Sequence, residues 1–155
     1  MKKIFSLLTL ALVLVFSSCI EQNYPVWEGA LVEFQDAVVR APLAGQKYPR
    51  ITVANTVGTV SLQVNLIGAH RSSDETIAYS VVPTGTTAVA GTDFTTSGTV
   101  TIPAGSSFGT VTVNVANTGR LGGSVDLLLQ LDGNAAIGSS QNHNQVQIRI
   151  TRPNP

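Results

Sequence analysis

Between residues 31 and 151 the chain alternates apolar and polar positions with a period of two, the mark of strands that bury one face. Seven stretches carry the pattern. They are Val32 and Phe34; Leu62, Val64 and Leu66; Ile77, Tyr79 and Val81; Val100 and Ile102; Val111, Val113 and Val115; Val125, Leu127, Leu129 and Leu131; and Val146, Ile148 and Ile150. Turn-forming residues separate them: Pro83-Thr84-Gly85, Ala90-Gly91-Thr92-Asp93, Pro103-Ala104-Gly105, Gly122-Gly123 and Asp132-Gly133-Asn134. No helical stripe follows residue 19. The pattern predicts an all-β fold, an antiparallel sandwich of about seven strands around one core.

Residues 77–115 add a resemblance. Ile77-Ala78-Tyr79-Ser80-Val81 is followed by Ala90-Gly91-Thr92-Asp93-Phe94, then Gly98-Thr99-Val100-Thr101-Ile102-Pro103-Ala104-Gly105, then Thr110-Val111-Thr112-Val113-Asn114-Val115. This succession resembles the Calx-beta motif, and Thr59 to Leu66 is similar to the strand that precedes it. The resemblance implies an immunoglobulin-like sandwich of seven antiparallel strands. Gly91 can take a backbone conformation barred to other residues, Asp93 can fold back onto nearby amides to close the turn, and Phe94 can then enter the core. Some Calx-beta domains bind Ca²⁺ through clustered acids at one end. Here the corresponding stretch is Ala116-Asn117-Thr118-Gly119-Arg120-Leu121-Gly122-Gly123, and Arg152-Pro153-Asn154-Pro155 stands where an acidic tail would follow. Ca²⁺ wants six to eight oxygen ligands, so a degenerate calcium module is the weaker reading and no cofactor is expected.

The N-terminus has a different pattern. Two lysines, Lys2 and Lys3, precede the apolar run Ile4 to Phe16, and Ser17-Ser18-Cys19 follows. The run fits the apolar region of a secretory signal and falls short of the ~20 residues that cross a bilayer. Phe16-Ser17-Ser18-Cys19 resembles a bacterial lipobox, in which the thiol is acylated. Cys19 is the one cysteine of the chain, so it has no internal disulfide partner. Two acyl chains, at about 0.8 kcal/mol per buried methylene, suffice for stable anchoring. The expected organisation is a lipoprotein signal peptide at 1–18, a lipidated tether at 19–29 and a sandwich domain at 30–155. The expected location is the cell envelope of a Gram-negative bacterium, with the outer membrane favoured over the inner.

Charge narrows the function. The chain has nine basic and nine acidic residues; loss of Lys2 and Lys3 with the signal leaves seven against nine, a formal charge of −2, which speaks against nucleic-acid binding. His70 sits near Asp74 and Glu75 in a polar connection and reads as a solvated loop. His143 reads as surface, in a turn without an acidic neighbour in sequence. Neither histidine forms a nucleophile or metal arrangement with its neighbours, so no enzyme is expected. The aromatics Tyr24, Trp27 and Tyr48 remain as candidate contacts. They could stack on sugar rings, although Trp27 reads better as packed under the first strand. Two roles follow: an accessory binding or scaffold module for a protein partner in the envelope, or a glycan-binding surface lipoprotein.

Overall fold

In a computed structural model, which describes residues 27–119 and 121–153, ten strands form two sheets. In chain order they are β1 (Leu31–Phe34), β2 (Arg50–Ala54), β3 (Thr59–Ile67), β4 (Glu75–Val81), β5 (Phe94–Thr96), β6 (Thr99–Ile102), β7 (Phe108–Val115), β8 (Ser124–Gly133), β9 (Gly138–Ser139) and β10 (Gln145–Thr151). One sheet has the order β5-β7-β3-β1-β9 and the other β2-β10-β8-β4-β6. The Cys19 and Tyr24 assignments lie outside the described residues.

Each alternating stretch buries the face its sequence marks. On β3, Val60, Leu62, Val64 and Leu66 are buried between Ser61, Gln63 and Asn65, and β7 repeats the pattern with Gly109, Val111, Val113 and Val115. Phe34, Leu62, Ile77, Leu127, Leu129 and Ile148 are among the fully buried side chains between the sheets. At about 25 cal/mol per Å² of apolar surface removed from water, this core is the main stabilising term.

The expected sandwich is present, and the structure adds three details to it. Ten strands are present where about seven are expected, the additional ones being β2, β5 and β9. Two pairings are parallel, β1 with β9 and β2 with β10, so the sandwich is mainly rather than wholly antiparallel. A short helix, α1 (Gln35–Val39), directly follows β1. It has little more than one turn, buries only Ala37, and gains support from Asp36 accepting from Arg40 Nε at 2.6 Å. β5 and β9, at three and two residues, are too short to show a period, a helix of five residues spans little more than one turn, and alternation alone carries no pairing direction.

Leu128 interrupts the alternation of β8: it points away from the core yet is only 2% exposed. The chain leaving β4 covers it. Val82 N donates to Leu128 O at 2.9 Å, Leu128 N donates to Thr86 Oγ1 at 2.9 Å, and a Cβ on Gly85 would overlap the leucine side chain. Glycine at 85 is thus what lets this strap lie flat on the sheet.

Candidate functional site

A cleft of about 840 Å³ lies beside β1. One wall is α1 and its exit, with Val38, Val39, Arg40 and Pro42; the other is the β9–β10 connection with Gln141 to His143, and Lys47 closes the rim. Backbone pairing builds the second wall. Gly138 N donates to Ala30 O, Ser140 N to Val32 O and Phe34 N to His143 O, at 2.9 to 3.0 Å. These bonds carry the 138–143 segment along the free edge of β1, and α1 turns away just as that edge ends.

The cleft mixes apolar and basic surface. Val38 and Val39 are 46% and 64% exposed, unusual for valines beside an otherwise well-filled core. Arg40 is held by Asp36. His143 stays at the surface as expected, and the acidic partner that its turn lacks in sequence comes from across the fold: its Nδ1 stands 3.4 Å from Glu33 Oε2 of β1. Lys47 has no carboxylate within ion-pair distance among the described residues. The cleft therefore presents an ammonium without an ion-pair partner among the described residues, beside exposed methyl groups.

Of the aromatic candidates, Tyr48 lies in the loop beside this rim, where its carbonyl accepts from Leu43 N. Trp27 does not pack under β1. It is 55% exposed and folds over its own backbone, so that a Cβ on Gly29 would lie 2.5 Å from the indole. Glycine at 29 gives the ring a flat backbone to rest on, which replaces the expected core pocket. Trp27 and Tyr48 thus belong to different parts of the surface. His70 is an exposed loop residue, as expected, and its Nε2 is 2.8 Å from Ser107 Oγ.

A second polar centre, missed from sequence, lies at the end of the sandwich that carries Asp93. The carboxylate does close its turn, accepting from Val89 N at 2.9 Å, and Gly91 takes φ 78°. Its other oxygen receives Arg152 Nη2 at 2.6 Å, and both residues are only 8% exposed in their side chains. Arg152 Nε also donates to Thr118 O at 2.6 Å, while Asn55 Nδ2 reaches Asn117 Oδ1 at 2.8 Å. Asp93 and Arg152 are 59 residues apart in sequence, and an arginine after the last strand gives no local signal that it will be buried. A Ca²⁺ ion does not fit these residues. The one carboxylate at the hub is already satisfied by a guanidinium and an amide, and no group of three or more His, Cys, Asp or Glu that could hold a metal occurs among the described residues.

On the outer face of the other sheet, Asp126 of β8 and Arg149 of β10 meet in register. They form a two-pronged pair at 2.8 and 2.7 Å, and Arg50 Nε stands 4.0 Å away. The hydrogen bond from Arg149 holds the Asp126 carboxyl below its usual value, and the same bond raises the Arg149 guanidinium. This is a structural clasp across two strands.

Among solved structures, the fold is similar to the apo form of the Calx CBD1 domain, with a TM-score of 0.60 and 17% identity over 80% of this chain and 97% of that one. The Calx CBD2 domain gives a TM-score of 0.56 at 11% identity, over 79% of this chain and 87% of that one. A Bacteroides ovatus protein provisionally assigned as carbohydrate-binding gives 0.54 at 12% identity; the match covers 80% of this chain but 37% of that one. No protein-family model and no curated protein matches the sequence. At these identities the likeness speaks for the fold, which is a Calx-beta-like sandwich.

Proposed function

We propose that this protein is a lipid-anchored, non-catalytic accessory module of the cell envelope that binds a segment of a protein partner in the cleft beside β1. The cleft carries the reading. Its exposed Val38 and Val39 offer apolar contact, Lys47 offers a positive charge, and the segment bearing Lys47 leads into β2, the terminal strand of its sheet. Gln147 N donates to Pro49 O at 3.0 Å. By the alternation of a parallel ladder, the amides of Ile51 and Val53 then face β10 and those of Thr52 and Ala54 face outward. An extended peptide could add to that edge and lay side chains into the cleft.

Anchoring rests on the Ser17-Ser18-Cys19 sequence. Cys19→Ser is expected to move the protein from the membrane fraction to the soluble envelope fraction; firm retention of the variant would remove the anchor from this reading. For the cleft, a photo-cross-linking residue at position 39 should give a discrete adduct in cells, abolished by Val38→Asp. The same residue at Thr112, on the exposed outer face of β7 and outside the cleft lining, should not. Identical adducts at both positions would defeat the partner assignment.

A glycan is the second reading. Its support is the amide-bearing pair Gln141 and Asn142 beside Lys47 in the cleft, together with the provisional carbohydrate-binding assignment of the Bacteroides ovatus neighbour. A glycan array with specific binding lost on Asn142→Ala, the fold being retained, would favour it over the peptide.

A further inference from the structure

We propose that the end of the sandwich where the chain enters β1 rests on the lipid bilayer, with Trp27, Ile67 and Phe108 seated in its interfacial zone. The outer face of the β5-β7-β3-β1-β9 sheet is polar over most of its area, with Thr59, Ser61, Gln63, Thr110, Thr112 and Asn114 pointing outward. At one end that character changes. Phe108 is opposite Asn65, and Ile67 is opposite Leu31. Ile67 and Phe108 are thus diagonal neighbours on one face, within reach of each other. A Cβ on Gly68 would lie 2.7 Å from Gly29 O, so the turn that carries the Trp27 indole sits against the end of β3. Trp27, Ile67 and Phe108 are 55%, 38% and 55% exposed.

The tether selects the occupant. Cys19 precedes Trp27 by eight residues, and at about 3.5 Å per residue an extended link reaches no more than about 28 Å. A lipid on Cys19 therefore holds this end of the sandwich at the membrane, and the inference rests on the anchor proposed above. Three part-exposed side chains offer on the order of 300 Å², well under the ~800 Å² per partner of an ordinary protein interface. They suffice once a tether supplies a high effective concentration. Tryptophan and phenylalanine suit the boundary between headgroups and acyl chains. Of the nearby charges, Arg71 faces Glu75 at 3.8 Å and Asp74 Oδ1 accepts from Ala104 N at 2.8 Å, while Glu28 beside Trp27 is exposed. No basic cluster among the described residues draws this face to anionic headgroups, so the contact rests on its apolar side chains and should depend little on salt.

Trp27 is the only tryptophan, so its fluorescence reports on this face directly. The protein, purified from the envelope and reconstituted in phosphatidylethanolamine–phosphatidylglycerol vesicles with brominated acyl chains, should lose most of its indole emission. In unbrominated vesicles the emission should shift to the blue. Because Trp27 adjoins the tether, the decisive probe is the double variant W27F/F108W, which moves the indole onto β7. Its emission should also be quenched, at low and high salt alike. Mass spectrometry of the same preparation reports acylation of Cys19 separately. If Cys19 is unmodified, the anchor reading fails, and the same sulfur is coupled to a maleimide lipid so that docking is still measured. An anchored W27F/F108W protein whose emission ignores brominated lipid overturns the inference. So does a blue shift that depends on protein concentration without vesicles, which would assign the face to a second copy of this chain.

Discussion

Replacing Arg152 by methionine is the sharpest test of how the Asp93 end of the sandwich is held. The substitution keeps most of the side-chain volume and deletes the guanidinium. Two bonds of 2.6 Å disappear, to Asp93 Oδ1 and to Thr118 O. Asp93 then keeps Val89 N at 2.9 Å and a long contact of 3.4 Å from Thr118 Oγ1, while its side chain stays about 8% exposed. Removing one partner of such a buried pair costs about 3–5 kcal/mol, because the remaining charge is stranded in low dielectric. At a few degrees per kcal/mol for a domain of this size, the melting temperature should fall by about 10–20 °C. Thermal unfolding of the wild type, R152M, D93L and the double variant closes the cycle. The double variant should recover much of the loss, since two well-packed apolar groups no longer include an unpaired charge. A cost for R152M below about 1 kcal/mol, the worth of an exposed pair, would refute the argument. So would additive single-variant costs.

Gly119 tests the same hub from another side: it has φ 94°, and a Cβ there would overlap Arg152 Nε. Gly119→Ala should lower the melting temperature clearly in the wild type, and by less in R152M, where the obstructing guanidinium is gone. Gly109 of β7 faces β6 so closely that a Cβ would lie 2.8 Å from Thr101 O; Gly109→Val should cost about 1–3 kcal/mol in urea unfolding by forcing the backbones apart. Asp126 predicts an acid limb. Its folded pKa lies below the ordinary 3.8, so its contribution is present above pH 4 and is lost as pH falls through the folded value. Denaturation followed from pH 5 downward should therefore be flatter for Asp126→Asn than for the wild type. The effect should be modest, since the pair is partly open to water.

Much of the sandwich is legible along the chain. Seven of the ten strands announce themselves because each carries at least two core-facing side chains at period two, and Phe94 and Gly91 behave as their turn demands. The strands that escape notice, β2, β5 and β9, exist because longer neighbours offer them an unpaired edge. Ile51 and Val53 of β2 do alternate, but only beside β10 do they become a strand. Pairing direction is equally nonlocal, since the same alternation serves a parallel or an antiparallel ladder.

The candidate sites divide along the same line. The Cys19 proposal rests on a local pattern, a cysteine after a charged start and an apolar run, which is visible before any folding. The Asp93–Arg152 hub, the Glu33–His143 contact and the cleft between α1 and residues 141–143 join positions far apart in sequence, and no spacing rule records such meetings. Trp27 shows the limit from the other side. Its apolar ring predicts burial, yet the core beneath β1 is already filled by Val32 and Phe34, both fully buried, and the indole is left outside on Gly29. Sequence by itself determined the class of fold and the faces of its longer strands, because burial of alternate side chains is a local requirement. Tertiary structure alone decided which charges meet, where a cleft opens and which aromatics remain at the surface, because those depend on what the rest of the chain has already occupied.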